Sequence, residues 1–202
     1  MFISGHSMGG RTALLLSLLK SSNIDQLVVV DSSPIHRTTD KGIQDIETFL
    51  NAISKVDMSH LTKQNMERTS IKRYLDEQLK ENGIRNESRR QWLIMNLITT
   101  NINGVEEYNW NFNLNVLKQC FRSHLILLPQ DVLKSNIFSK NTLFIGSPIS
   151  KYIPQDSHDE IRKYFPLAEF IYVPGASHWI QADKPKQFLK IVLQFLKRFT
   201  SE

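Results

Sequence analysis

Ser7 sits in Gly5-His6-Ser7-Met8-Gly9, a G-x-S-x-G spacing that begins within the first ten residues. A serine hydroxyl is a weak nucleophile unless a neighbouring base takes its proton and nearby N–H groups receive the charge that develops on the attacked carbonyl oxygen. The flanks supply a setting for this. Phe2-Ile3 is apolar and strand-like, and 11–19 is a leucine-rich, helix-forming run, so the spacing predicts strand, tight turn, helix. Gly5 and Gly9 are expected to let the turn close, with Gly10 adding clearance. Ser7 would then stand at a helix N-terminus, where the Met8 N–H and the positive end of the helix dipole favour an oxyanion. The chemistry encoded is nucleophilic attack on an acyl carbonyl.

The base and the acid must come from elsewhere in the chain. Pro174-Gly175-Ala176-Ser177-His178-Trp179 directly follows the apolar run 170–173, which places His178 on a loop at the C-terminal end of a strand. His36, His60, His124 and His158 fall in the central region or at helix starts, and His6 is expected to point elsewhere on the turn. Their separations form no metal-ligand pattern, so no zinc and no other metal is expected. A neutral imidazole needs a carboxylate to hold its tautomer and stabilise the imidazolium. The segment after the strand ending at Ile145 holds no carboxylate before Asp156, whereas Asp31 ends the apolar strand Val28-Val29-Val30. Asp31 is therefore the chosen acid, and Asp156, expected to be a helix N-cap, is the second candidate. Ser7, Asp31, His178 also follow the chain order nucleophile, acid, base.

The elements that would carry these residues alternate between strand and helix at both ends of the chain. Strand-like runs at 26–31, 142–145 and 170–173 and helical runs at 156–164 and 186–199 suit an α/β sheet. Between them lies a region of about a hundred residues, too long for a simple loop. Its apolar spacing predicts helices at 42–54, 60–79 and 88–99, with a short strand-like stretch at 106–112. The division expected is 1–34 for the part bearing Ser7, 35–140 for a helical insertion and 141–202 for the rest of the sheet.

The chain has 202 residues, 41% hydrophobic and 22% charged, enough for one globular domain. Its single cysteine, Cys120, forms no internal disulfide and is expected to be a small core residue in a reducing compartment. The net charge of +5 is scattered, with doublets such as Arg89-Arg90 and Lys197-Arg198, which implies solvated helix faces rather than a nucleic-acid surface. No apolar run approaches the ~20 residues of a membrane span.

Four segments in order, S-G-H-S-M-G-G-R-T-A, V-V-V-D-S-S-P, W-N-F-N-L and A-S-H-W-I-Q-A-D-K-P, resemble the α/β-hydrolase domain-containing protein 11 family and its bacterial YbfF-type esterase relatives. The resemblance runs from residue 1 to the C-terminus. It implies an α/β fold in which this chain is the C-terminal part of the hydrolase fold, strands five to eight of a mostly parallel sheet, with a helical cap. It also implies Asp31 in a V-D-x-x-P segment as the acid, carboxylic-ester hydrolysis without a cofactor, and diacylglycerol lipase activity as in animal members. A mitochondrial location and association with the 2-oxoglutarate dehydrogenase complex follow from the same resemblance; without it, a cytoplasmic location is the expectation.

Against that pattern, 123–139 is an extra stretch, and Gly146-Ser147-Pro148-Ile149-Ser150 replaces the usual Gly-Gly-Asn-Ser. The first four strands and most of the fifth are missing, so a fragment, splice form or incomplete gene model is expected, with Met1 to Ser4 as an unpaired sheet edge. Of two oxyanion donors only the Met8 N–H is encoded, and lacking one costs about 2.7 to 4 kcal/mol of transition-state stabilisation. Three readings follow: a serine esterase or lipase, a carbon–carbon bond hydrolase on the same scaffold, and a non-catalytic fragment that binds a partner.

Overall fold

The computed structural model describes residues 1–35, 41–64, 66–121, 128–149 and 152–198. Among these, the strands are β1 (Phe2–His6), β2 (Gln26–Val30), β3 (Leu97–Ile102), β4 (Val105–Trp110), β5 (Asn141–Gly146) and β6 (Ala168–Tyr172). The helices are α1 (Met8–Leu19), α2 (Lys41–Ser54), α3 (Met58–Gln64), α4 (Arg68–Glu81), α5 (Glu87–Ile94), α6 (Leu114–Cys120), α7 (Gln130–Ser135), α8 (His158–Arg162), α9 (Ile180–Asp183) and α10 (Pro185–Lys197). They form two compact units, the first made of Met1–Gly42 with Arg122–Glu202 and the second of Ile43–Phe121.

The first unit is built on a parallel sheet in the order β1-β2-β5-β6. All five residues of β2 are buried, as expected of an apolar β-branched strand covered on both faces. Its alternation sorts the two cores. Leu27 and Val29, with Phe144 of β5, pack with Ala13, Leu14 and Leu18 of α1. Val28 and Val30, with Leu143 and Ile145, pack with Ile180 of α9 and Phe195 of α10. Each such valine, leucine, isoleucine or phenylalanine side chain contributes about 1.5–3 kcal/mol by leaving water.

The ladder continues one residue beyond three of the strands. Ser7 N–H donates to Val30 O at 3.0 Å, Asp31 N–H to Ile145 O at 2.8 Å and Val173 N–H to Gly146 O at 2.9 Å. These bonds fix the residues that leave β1, β2 and β6 at the same end of the sheet.

The expected insertion of 35–140 is shorter in the structure. Leu128, Leu133 and Phe138 are buried in the α1-side core of the sheet, so the end of the extra stretch 123–139 belongs to the first unit. The part of that stretch from 123 to 127 lies outside the described residues.

In the second unit, Leu61, Ile71, Leu75, Leu79 and Leu93 form the buried centre. The helix expected over 60–79 is two helices, α3 and α4. The helix expected over 88–99 begins one residue early, capped by Asn86, whose side chain accepts from Arg89 N–H at 2.9 Å, and ends at Ile94. The remainder enters β3, which pairs antiparallel with β4 around Asn103-Gly104. Both turn residues have positive φ, 53° and 85°, as a two-residue hairpin turn requires.

Arg90 corrects the expectation of solvated doublets. Its side chain is 7% exposed, and it donates to Asp76 at 2.9 Å and to the carbonyls of Ile84 and Arg85 at 3.0 and 2.8 Å. Cys120 ends α6 half-buried rather than in the core.

Candidate active site

The elbow is set by sterics. Ser7 adopts φ 53° and ψ −116° between the end of β1 and the first residue of α1. A non-glycine residue in that region costs of order 1–3 kcal/mol and persists only where its surroundings impose it. A Cβ on Gly5 would lie 2.1 Å from the Gly9 carbonyl oxygen, and one on Gly10 would lie 2.8 Å from Ser32 Cβ. The steric demand therefore falls on Gly5 and Gly10. A Cβ on Gly9 meets nothing within 4 Å beyond its own helix and chain neighbours, contrary to the expectation for that position. Met8 opens α1, and N–H groups of a helix's first turn have no acceptor within the helix.

The three residues chosen from the sequence meet. His178 Nε2 is 3.0 Å from Ser7 Oγ, and His178 Nδ1 is 2.6 Å from Asp31 Oδ2. The carboxylate accepts from Nδ1–H, which leaves Nε2 as the acceptor for the serine O–H. The Asp31 side chain is fully buried while that of His178 is 19% exposed, so the acid is shielded and the base is open to a reactant. Asp31 also has positive φ, 46°, so both residues that flank the imidazole leave their strands through a sparsely populated backbone conformation. Asp156 does not take the acid's place. It is exposed in a single 3-10 turn, Gln155–Ser157, whose N-cap is Pro154.

The His178 loop is held by groups that the sequence reading did not single out. Ser147, 1% exposed, donates its hydroxyl to Ala176 O. Asp183 accepts from the N–H and the hydroxyl of Ser177 at 2.7 and 2.6 Å, which holds its carboxyl below the usual aspartate range. The Tyr152 ring lies 4.5 Å from that of His178. His6 does not point away from the site as expected. Its Nε2 donates to His178 O at 2.8 Å, and the two rings are 4.6 Å apart. Burial, the leading influence, lowers the His6 pKa below the ordinary histidine value, so the imidazole is neutral at neutral pH. Spacing gave no signal for Ser147, because it acts on a loop 29 residues away that the fold brings to it, whereas Asp183 stands six residues from Ser177 within the quoted A-S-H-W-I-Q-A-D-K-P segment.

The other histidines do different work. His60 stacks on Tyr74 at 4.7 Å in the second unit. His158 stacks on Phe170 at 3.7 Å, and its Nε2 is 2.7 Å from the Tyr172 hydroxyl, which donates to Ile153 O at 2.6 Å. Burial pushes the Tyr172 hydroxyl up to about 12. His36 and His124 lie outside the described residues. Among the described residues no cluster of His, Cys, Asp or Glu has the arrangement of a metal site, and no helix is long and apolar enough to cross a membrane.

Comparison with known proteins places this geometry in context. The chain is 35% identical over 192 residues to the mouse sn-1-specific diacylglycerol lipase ABHD11, covering 95% of this chain and 57% of the relative. It is 29% identical to the esterase YbfF of Escherichia coli (strain K12), covering 95% of this chain and 65% of that one. The chain thus spans little more than half the length of the curated relatives it matches. Among solved structures, a marine microorganism esterase superposes with a TM-score of 0.80 at 26% identity, covering 96% of this chain and 69% of its own. A family profile described as the alpha/beta hydrolase fold matches residues 2–185. With its parallel sheet and a strand-elbow-helix bearing Ser7, the chain belongs to the alpha/beta hydrolase fold family.

Proposed function

We propose that this chain is a serine hydrolase of carboxylic esters that works through an acyl-enzyme. The observation that carries the reading is the unbroken relay from Ser7 Oγ through the His178 imidazole to the buried Asp31 carboxylate. His178 Nε2 takes the proton as Ser7 Oγ attacks the ester carbonyl, and Asp31 stabilises the imidazolium that forms. The imidazolium then gives its proton to the leaving alkoxide, and the alcohol departs. Water repeats the sequence on the acyl-enzyme, releasing the acid and restoring Ser7. The Met8 N–H, at the start of α1, is the donor assigned to the tetrahedral oxyanion.

Two of the relatives described above are called a diacylglycerol lipase and an esterase, which supports an acyl ester as the substrate class and a lipid-like ester such as diacylglycerol as the instance to try first. The test is a panel of p-nitrophenyl esters of increasing acyl length together with diacylglycerol, assayed on the wild-type chain and on Asp31→Asn. Turnover that falls by about 10⁴ in Asp31→Asn is the expected result, because an asparagine cannot hold the required imidazole tautomer. Turnover equal in the two proteins would overturn the assignment.

A further inference from the structure

The loop that presents His178 is captured through its backbone carbonyls. Two side chains from separate parts of the sheet reach it. His6, the last residue of β1, donates from Nε2 to the carbonyl of His178 itself at 2.8 Å. Ser147, the first residue after β5, donates its hydroxyl to the carbonyl of Ala176. A carbonyl oxygen only accepts, so the bond fixes the His6 tautomer with its proton on Nε2. The same imidazole lies 4.6 Å from the His178 ring and 5.7 Å from Trp179, filling the space beside the base.

This arrangement ties the base to the nucleophile through one residue. His6 and Ser7 are adjacent in the chain, and the Ser7 N–H is fixed to Val30 O at 3.0 Å. Any shift of the loop that moved His178 Nε2 from Ser7 Oγ would also have to break the His6 bond or bend the end of β1. We propose that His6 is a positioning residue, and that its Nε2–H, with the Ser147 hydroxyl as a second anchor, sets the separation between the base and Ser7; this rests on the serine-hydrolase reading above.

Three features favour this over packing alone. A ring that only filled space would need no donor aimed at the carbonyl of the base's own residue. The imidazole is kept neutral by burial, so it carries a single N–H, and that N–H is the one used. The two anchors also arrive from the ends of β1 and β5, which lie on either side of β2, the strand that delivers Asp31.

The experiment compares His6→Phe, which keeps an aromatic ring and removes the donor, with His6→Gln, whose amide nitrogen reaches about as far as Nε2. Two readouts are taken on the whole chain, with circular dichroism to show that each variant is folded. The first is the rate constant for labelling of Ser7 by a fluorophosphonate probe. A misplacement of about 1 Å costs on the order of 10²-fold, so labelling is expected to slow by about 10- to 100-fold in His6→Phe and to recover to within a few-fold in His6→Gln. The second is the low-field proton resonance of His178 Nδ1–H, which needs no reaction at Ser7. It is expected in wild type and His6→Gln and should broaden by solvent exchange in His6→Phe.

Wild-type labelling and an undisturbed resonance in folded His6→Phe would overturn the positioning role. An unlabelled wild type whose resonance is nonetheless lost in His6→Phe would overturn the hydrolase reading while upholding the anchor. Ser147→Ala, tested in parallel, is expected to weaken the same resonance; a resonance unchanged in both variants would dismiss the carbonyl capture altogether.

Discussion

Ser7 and Asp31 both leave their strands with positive φ, 53° and 46°, and each is held there by a backbone bond from its own N–H to a neighbouring strand. The elbow tolerates no side chain at Gly5, where a Cβ would lie 2.1 Å from a backbone oxygen that cannot swing away. Gly5→Ala is expected to destabilise the fold by at least the ~1–3 kcal/mol typical of overpacking, read as a fall in the denaturant midpoint. Gly9→Ala at the open position should cost much less. Asp183 makes a pH-dependent contribution. Its folded-state pKa is depressed by two donors from Ser177, so its stabilisation of the loop is complete above the unfolded aspartate value of about 3.9 and is lost as pH falls through the folded value. The protection factor of the Ser177 amide, its exchange rate relative to that of an open chain at the same pH, should therefore fall at acid pH in wild type. In Asp183→Ala it should be low already at neutral pH.

The elements that carry the site use periodicities visible in the sequence. Val28-Val29-Val30 reads as a strand buried on both faces because its β-branched residues face a core on either side. The elbow is legible because its close backbone approach leaves room only for glycine at Gly5. Asp31 could be picked over Asp156 because a strand end is a fixed position, whereas Asp156 sits in a short turn with no strand behind it. What was hidden depends on packing and pairing that apolar spacing does not encode. Leu133 and Phe138 carry no sign of which core they join, and Leu97-Ile98-Thr99 continues a helical pattern until the Asn103-Gly104 turn folds it against β4. Arg90 belongs to the same class, since only the packed second unit brings two carbonyls and Asp76 around its guanidinium. Arg90→Ala would strand those acceptors in a buried setting. Hydrogen exchange should then show faster opening of α4 and α5, with the sheet amides of the first unit unaffected.

For the molecule as a whole, the described sheet ends at β1, which pairs on one side with β2, and Phe2 of that strand is 41% exposed. Leu189 and Leu193, 56% and 44% exposed, lie on a face of α10 shared with Lys186, Lys190 and Lys197. An open strand edge and exposed leucines are both features that promote self-association. The purified chain is therefore expected to elute as a mixture of sizes that shifts toward monomer in a Leu189→Glu, Leu193→Glu double variant. A monodisperse wild type at high concentration would show that neither surface is adhesive. The relay itself lies within one compact unit, so its function is open to direct assay. The most direct measurement is fluorophosphonate labelling of the purified chain, with mass spectrometry to locate the adduct and Ser7→Ala and His178→Ala as partners. The relay predicts one adduct, on Ser7, absent from Ser7→Ala and greatly slowed in His178→Ala; a folded chain that takes no label, or that is labelled equally well without His178, would contradict it.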